Sequence, residues 1–428
     1  MKIKAIILVL LISFSLLAQN NIFEKEVSTA DQLEMSFKLD KYRLDEKIFR
    51  DGKKYDVISA PGKSMMEAGK PNLPAFAIWI AVPKGKKPSV SITKNNSKIL
   101  NNINVAPMQP PKPDLVGAKE PEFQKDLNTY TKDELYPAKM FNLENMKEMR
   151  GFHLTILHVY PFQYNPQSKR LYIYENMDID ISFQGGRQAQ SQNLITKENS
   201  NIVRGLAVNG NDIINSMQFE ENKKTRETGS EYLIITHDDF LDTAELLADW
   251  KTQIGFKTIV KTVAEIGDSA SQIEDFIDNA YEEWDIPPAY LLFLGDAEFV
   301  PTRYVNEHPY NEGMTGSDLH YADINTPPDY LADISYARIP VDTAEEADNF
   351  IQSVLDYEQN PPEQLSFYNN AIMAAAFQDG SNSGGQDYPP DDYADRRFAK
   401  TSEDVRNYLS SENYDPERIY KTYNGCYY

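Results

Sequence analysis

The residues best suited to chemistry gather in one stretch, LLFLGDAEFVPTRY followed closely by GSDLHYADINTPPDYLADISYAR. Gly295 and Asp296 end an apolar run, and an aspartate leaving a buried strand binds a metal, orients a base or caps the next turn. Asp318, Asp323, Asp329 and Asp333 follow in a segment with little helical or strand periodicity. Calcium collects oxygens from carboxylates, carbonyls and water, often on irregular loops. The ligand type therefore suits calcium, although the spacing is not that of an EF-hand and a solvated acidic loop has the same composition. The five histidines form no metal site by spacing. His153 and His158 are an odd number of residues apart on an expected strand, which turns them to opposite faces. His237 ends a strand and reads as a polar cap. His308 and His320 follow Asp296, where either could line a site, and structural placement is the favoured reading. Ser317 beside Asp318 has no partnered base.

A second acidic cluster lies in NAIMAAAFQDGSNSGGQDYPPDDYADRRF, where a strand enters a Gly/Ser/Asp loop on the same expected rim as Asp296. Asp379, Asp387, Asp391, Asp392 and Asp395 could meet a basic substrate group there, or form a flexible acidic loop. The one cysteine, Cys426 in TYNGCYY, follows a strand beside Gly425. A nucleophilic thiol needs a base in hydrogen-bond reach and donors for an oxyanion. Its place after a strand suits such a role, and the residues around it leave that role open. HExxH, GxSxG and Walker patterns are absent, so zinc-protease, serine-hydrolase and nucleotide readings find no support.

Composition limits the class of protein. The chain has 428 residues and a formal charge of −22, from 65 acidic and 43 basic residues. Such a surface repels phosphate backbones, which argues against nucleic acid as a partner. Lys2 and Lys4, the apolar stretch from Ala5 to Leu17 and small Ala18 read as a secretory signal over residues 1–19. The apolar run is shorter than the ~20 residues of a spanning helix. A single cysteine allows no internal disulfide, so an exported protein of this kind relies on burial and on bound ions.

Three regions are expected to position these residues. Residues 20–186 read as β-rich: VSITKNN, FHLTILHVYPFQYN and KRLYIYENMDIDISF carry β-branched and aromatic residues, with a hairpin turn at Tyr164–Ser168. Leu171, Ile173, Glu175, Met177, Ile179 and Ile181 alternate along one face. Residues 187–230 are polar and read as an exposed linker around one semi-apolar segment, with a basic tract at Lys223, Lys224 and Arg226 suited to proteolytic processing. From 231 to 428, strands alternate with helices: EYLIITH, FKTIVKTV, AYLLFLGD, DISYARIP, NNAIMAAAF and RIYKTY against helices such as DDFLDTAELLADWKTQIG and SASQIEDFIDNAYEEW. That alternation predicts a doubly wound, mostly parallel sheet with ligands at the carboxyl ends of its strands. Helix starts are predicted at Asp238 or Asp239 and at Ser269 or Ser271.

The ordered set YLIITHDDF, DWKTQIGFKTIV, AYLLFLGDAEFVP, SDLHYAD, DYLADISYARIP and FYNNAIMAA resembles the catalytic domain of gingipain-like cysteine peptidases. GKPNLPAFAIWIAVP and VYPFQYNPQSKRLYIYENMDIDI resemble the propeptide of the same family. The resemblance implies a β-rich inhibitory propeptide followed by a caspase-like α/β domain, incomplete at its C-terminus. It implies a secreted or cell-surface zymogen acting on protein or peptide substrates, stabilised by calcium and exported by a route such as type IX secretion. By the same resemblance, Asp296, Asp329 and Asp333 match calcium-binding acids, and Asp392 or Asp395 falls near the acidic specificity residue. The family's dyad histidine and nucleophilic cysteine are expected beyond Tyr428, with Cys426 one strand too early. Cleavage near Lys224 and Arg226 would free a catalytic domain whose cleft the propeptide covers. A secreted binding or adhesion protein that keeps the fold without the dyad is the alternative, and scattered carboxylates alone would permit another hydrolase, such as one acting on carbohydrate.

Overall fold

The computed structural model describes residues 22–64, 67–110, 121–186, 194–217, 228–305, 315–324, 331–377 and 398–421. The expected signal segment 1–19, Lys224, Arg226, His308, Asp329, Asp392, Asp395 and Cys426 lie outside the described residues.

Two five-stranded antiparallel sheets and a separate hairpin, Arg43–Ile48 with Lys54–Ser59, form the N-terminal region. In the first, Arg170–Gln184 pairs with Gln32–Lys38, with Lys87–Leu100 and, across the predicted hairpin, with Phe162–Asn165, while Phe23–Ser28 adds to Gln32–Lys38. In the second, Phe152–Val159 pairs with Pro74–Val82 and with the short strands Phe141–Leu143 and Lys147–Met149. The predicted alternation is present: Leu171, Ile173, Met177, Ile179 and Ile181 are all buried. They pack against Ile78, Ile80, Val82, Leu157 and Val159 of the other sheet. Burying each such side chain contributes about 2 kcal/mol relative to exposure. Glu175 leaves the alternation because the ladder to Lys87–Leu100 shifts register between Tyr174 and Asn176. His153 and His158 approach different acids, Glu148 at 3.8 Å and Glu144 at 2.6 Å.

The tract expected to be an exposed linker over 187–230 differs for residues 194–217. Helices Lys197–Leu206 and Gly210–Asn215 form there, the first capped by Thr196. They bury Val203, Ala207, Ile213 and Ile214 against Ala81, Met149, Phe152 and Leu154. Four apolar residues scattered among polar ones leave a weak helical pattern, so composition alone reads as linker. Asn209, fully buried, accepts a hydrogen bond from the Ala81 amide at 2.8 Å and donates one to the Ala81 carbonyl at 2.9 Å. Beside it, the Val208 amide donates to the Trp79 carbonyl at 3.0 Å.

The C-terminal region opens with a four-stranded parallel sheet in the order Thr258–Thr262, Tyr232–Thr236, Tyr290–Leu294 and Ser335–Ile339. Successive strand residues serve opposite faces, which is why these strands are continuously apolar. Leu233, Ile235, Leu291 and Phe293 pack with Ile273, Ile277 and Tyr281 of helix Ala270–Glu283. Ile234, Leu292 and Leu294 pack with Ala244 and Leu247 of helix Leu241–Gln253 and with Ala347, Ile351 and Leu355 of helix Ala344–Gln359. Ser269 is the cap of Ala270–Glu283, one of the two expected residues. The first chain reversal begins as a 3-10 turn, Asp238–Phe240, whose cap is His237, accepting from the Asp239 amide at 3.2 Å. Asn370–Ala376 and Asp415–Lys421 form a separate parallel pair, with helix Phe398–Ser411 between them in sequence.

Candidate functional site

The carboxyl ends of Tyr232–Thr236 and Tyr290–Leu294 form the rim on which the sequence places its chemistry. Thr236 Oγ1 donates to the Leu294 carbonyl at 2.9 Å, tying the two strand ends together. Gly295 follows with φ at 129°, and a Cβ there would lie 3.0 Å from Phe299 Cβ and 3.3 Å from the Phe240 ring. Glycine is required by both backbone and space. Asp296 Oδ1 accepts from the Ala297 amide at 2.7 Å, and the Asp296 carbonyl accepts from the Phe299 and Val300 amides at 3.0 and 2.9 Å. Its carboxylate therefore caps the turn it begins.

Asp318 is held by Arg338 rather than offered to an ion. Arg338 Nε donates to Asp318 Oδ2 at 2.7 Å and Nη2 donates to Oδ1 at 2.8 Å, with both side chains 13% exposed. Thr302 Oγ1 donates to Asp318 Oδ1 at 2.7 Å. Arg338 Nη1 donates to the carbonyls of Gly295 and Val300, each at 2.8 Å, and the guanidinium lies 4.9 Å from the Phe293 ring centroid. One arginine thus joins the strand Ser335–Ile339, the Gly295 turn and the Asp318 loop. Sequence reasoning passed over Arg338; the signal was a lone cation in a short strand, which when buried needs a carboxylate partner. Below it, the Tyr321 hydroxyl donates to the Pro301 carbonyl at 2.6 Å, and burial, reinforced by Asp318, pushes this phenol up to about 12.

Asp333 lies at the other edge of the sheet. It precedes Ser335–Ile339, whereas Asp296 follows Tyr290–Leu294, and the two strands are parallel and in register. At ~3.3 Å per residue, the two carboxylates are separated by roughly 15–25 Å and cannot share an ion. Asp333 is 2% exposed, and its oxygens accept from the Arg150 amide at 2.6 Å and the Ile324 amide at 3.2 Å. Among the described residues, no group of three or more His, Cys, Asp or Glu is arranged to hold a metal. Of the three acids matched to calcium binding, Asp329 lies outside the described residues, and Asp296 and Asp333 stand at opposite ends of the strands. Among the described histidines, His153 and His158 approach Glu148 and Glu144, and His237 caps the next turn.

Two family models divide the chain between them. Residues 26–218 match the model of the C25 propeptide and residues 225–427 that of peptidase family C25. A Lys-gingipain of Porphyromonas gingivalis is 25% identical over 411 residues, covering 92% of this chain and 22% of the relative. Gingipain R2 of the same organism is 24% identical over 332 residues, covering 75% of this chain and 42% of the relative. The chain thus spans less than half the length of these relatives. Among solved structures, the complex of P. gingivalis RgpB pro- and mature domains matches with a TM-score of 0.39 at 18% identity, covering 45% of this chain and 99% of that one. The structure of gingipain K in zymogenic latency matches with a TM-score of 0.33 at 24% identity, covering 38% and 93%. With a propeptide match over the β-rich region and a peptidase match over the α/β region, in that order, the chain belongs to the gingipain-like cysteine peptidase family.

Proposed function

We propose that this chain is the front portion of a secreted or cell-surface cysteine endopeptidase zymogen, with residues 26–218 its propeptide and the α/β region the first part of its catalytic domain. The observation that carries this reading is the succession of two family matches, divided at residues 219–224 beside the basic tract at Lys223, Lys224 and Arg226. The Cys/His dyad is assigned to residues beyond Tyr428, and the rim at Gly295–Asp296 is the scaffold on which it would act. Export through a type IX route and substrate selection through Asp392 or Asp395 belong to the same reading. Among the described residues, no helix is long and apolar enough to cross a membrane.

The full-length protein tests it. Matured protein should show a new N-terminus between residues 224 and 231, hydrolyse a peptide library, and lose that activity to a thiol-directed alkylating agent. An active protein whose 218–230 tract is intact would refute the processing step. A matured protein without thiol-sensitive hydrolysis would refute the peptidase reading and favour a binding protein on the same fold.

A further inference from the structure

The turn between Lys147–Met149 and Phe152–Val159 carries Arg150 and Gly151, both at positive φ, 54° and 77°. Two-residue hairpin turns of this kind favour Asn-Gly, because a side chain such as arginine strains the left-handed backbone. Arg150 is nevertheless only 6% exposed. Its amide donates to Asp333 Oδ1 at 2.6 Å, and its guanidinium donates to Ser335 Oγ at 2.9 Å and Asn199 Oδ1 at 3.1 Å. Asp333 and Ser335 belong to the α/β region, and Asn199 to the first connector helix. Burial pushes the guanidinium down, opposed by nearby Tyr281, Asp333 and Tyr290. Two leucines cross in opposite directions around this contact: Leu194 packs on the core of the α/β region, and Leu331 packs on the cluster between the second β-sheet and the connector helices.

We propose that Arg150 is the anchor that keeps the β-rich region bound to the α/β region after the chain between them is cut. The α/β region presents Asp333 and Ser335 as a receptor for an arginine hairpin turn. This rests on the zymogen reading above. The receptor lies at the amino edge of the parallel sheet, the opposite edge from Asp296. Holding the propeptide and covering the catalytic rim are thus separate tasks, performed at different ends of the sheet.

A buried, charge-assisted contact across an interface is the kind whose truncation weakens binding most. The full-length protein is made with a specific protease sequence replacing Lys224–Arg226, cut, and passed over a sizing column at falling concentrations. The wild-type fragments should co-elute, and Arg150→Ala, which keeps the backbone bond to Asp333, should raise their dissociation constant on the order of 30-fold, the effect of losing the guanidinium's charge-assisted bond to Ser335 at a desolvated site. Ser335→Ala leaves the hairpin untouched and should give a smaller rise, about fivefold; it decides the matter if Arg150→Ala fails to fold. Wild-type fragments that separate at once, or variant fragments that hold as tightly as wild type, would overturn the anchor. Because the readout is association, variants that release the fragments while no sample hydrolyses peptide would uphold the anchor and remove the peptidase reading.

Discussion

Arg338→Ala is the most informative substitution in the α/β region. Arg338 gives two charge-assisted bonds to Asp318 and one to each of the carbonyls of Gly295 and Val300. Removing it leaves a carboxylate, itself only 13% exposed, with Thr302 as its remaining named partner. Breaking one side of a buried pair costs about 3–5 kcal/mol, far more than an exposed pair is worth. Arg338→Lys keeps the charge but not the planar fork, and should cost about 2 kcal/mol. Arg338→Met combined with Asp318→Ala removes both charges and should recover part of the loss. It still leaves two carbonyls without their donor, at about 1 kcal/mol or more each. The expected stability order is therefore wild type, then the lysine variant and the double variant, then Arg338→Ala. Urea unfolding read through hydrogen exchange at the Leu291–Leu294 amides isolates the α/β region from the β-rich one. A loss below about 1 kcal/mol for Arg338→Ala, or a double variant no better than the single, would refute the argument.

Three further outcomes follow from the geometry. Burial, then Glu274, Glu282 and Asp275, raise the Asp278 carboxyl from 3.8 to about 6, with Arg303 opposing. Because the folded state favours the protonated form, its cost is absent below pH 4, grows through pH 6 and is complete above it. After discounting for its partial exposure, Asp278→Asn should stabilise the protein by about 1 kcal/mol at pH 7 and by nothing at pH 3.5, as read from urea midpoints at the two pH values. Gly229 sits at φ 100° with its Cβ direction aimed at the Ile286 carbonyl, so Gly229→Ala should cost about 2 kcal/mol or more and lower the thermal midpoint of the α/β region. Asn209→Ala removes both bonds to Ala81 and should expose residues 197–215 to limited proteolysis, with about 2–3 kcal/mol lost from the β-rich region; an unchanged digestion pattern would contradict this.

Much of the framework was legible because it is periodic. The unbroken apolar runs at Tyr232–Thr236 and Tyr290–Leu294 could only be strands covered on both faces, and alternation from Leu171 to Ile181 indicated one buried face. Local chemistry also showed, as at Ser269 and His237, since a cap is a matter of a few adjacent residues. Contacts made over long separations did not show. Arg338 and Asp318 are twenty residues apart, and nothing in either neighbourhood names the other. The family resemblance groups Asp333 with Asp296, while their distance apart depends on the parallel register, which puts them at opposite ends of the strands. The connector helices were obscured because Val203, Ala207, Ile213 and Ile214 are apolar islands in a polar tract, helical chiefly through the surface they cover.

Asn209 has a consequence for the life of the chain in a crowded compartment. The strand Pro74–Val82 has Phe152–Val159 on one side, and at Trp79 and Ala81 its other side meets only a turn. Unpaired strand borders recruit further strands, and the sequence AIWIAV is apolar enough to propagate such stacking. By spending its amide on both polar groups of Ala81, Asn209 imitates the next strand without being one. The growth of the sheet ends there, in a helix-bearing segment that offers no further border. The propeptide region is thereby denied one route into edge-to-edge stacking.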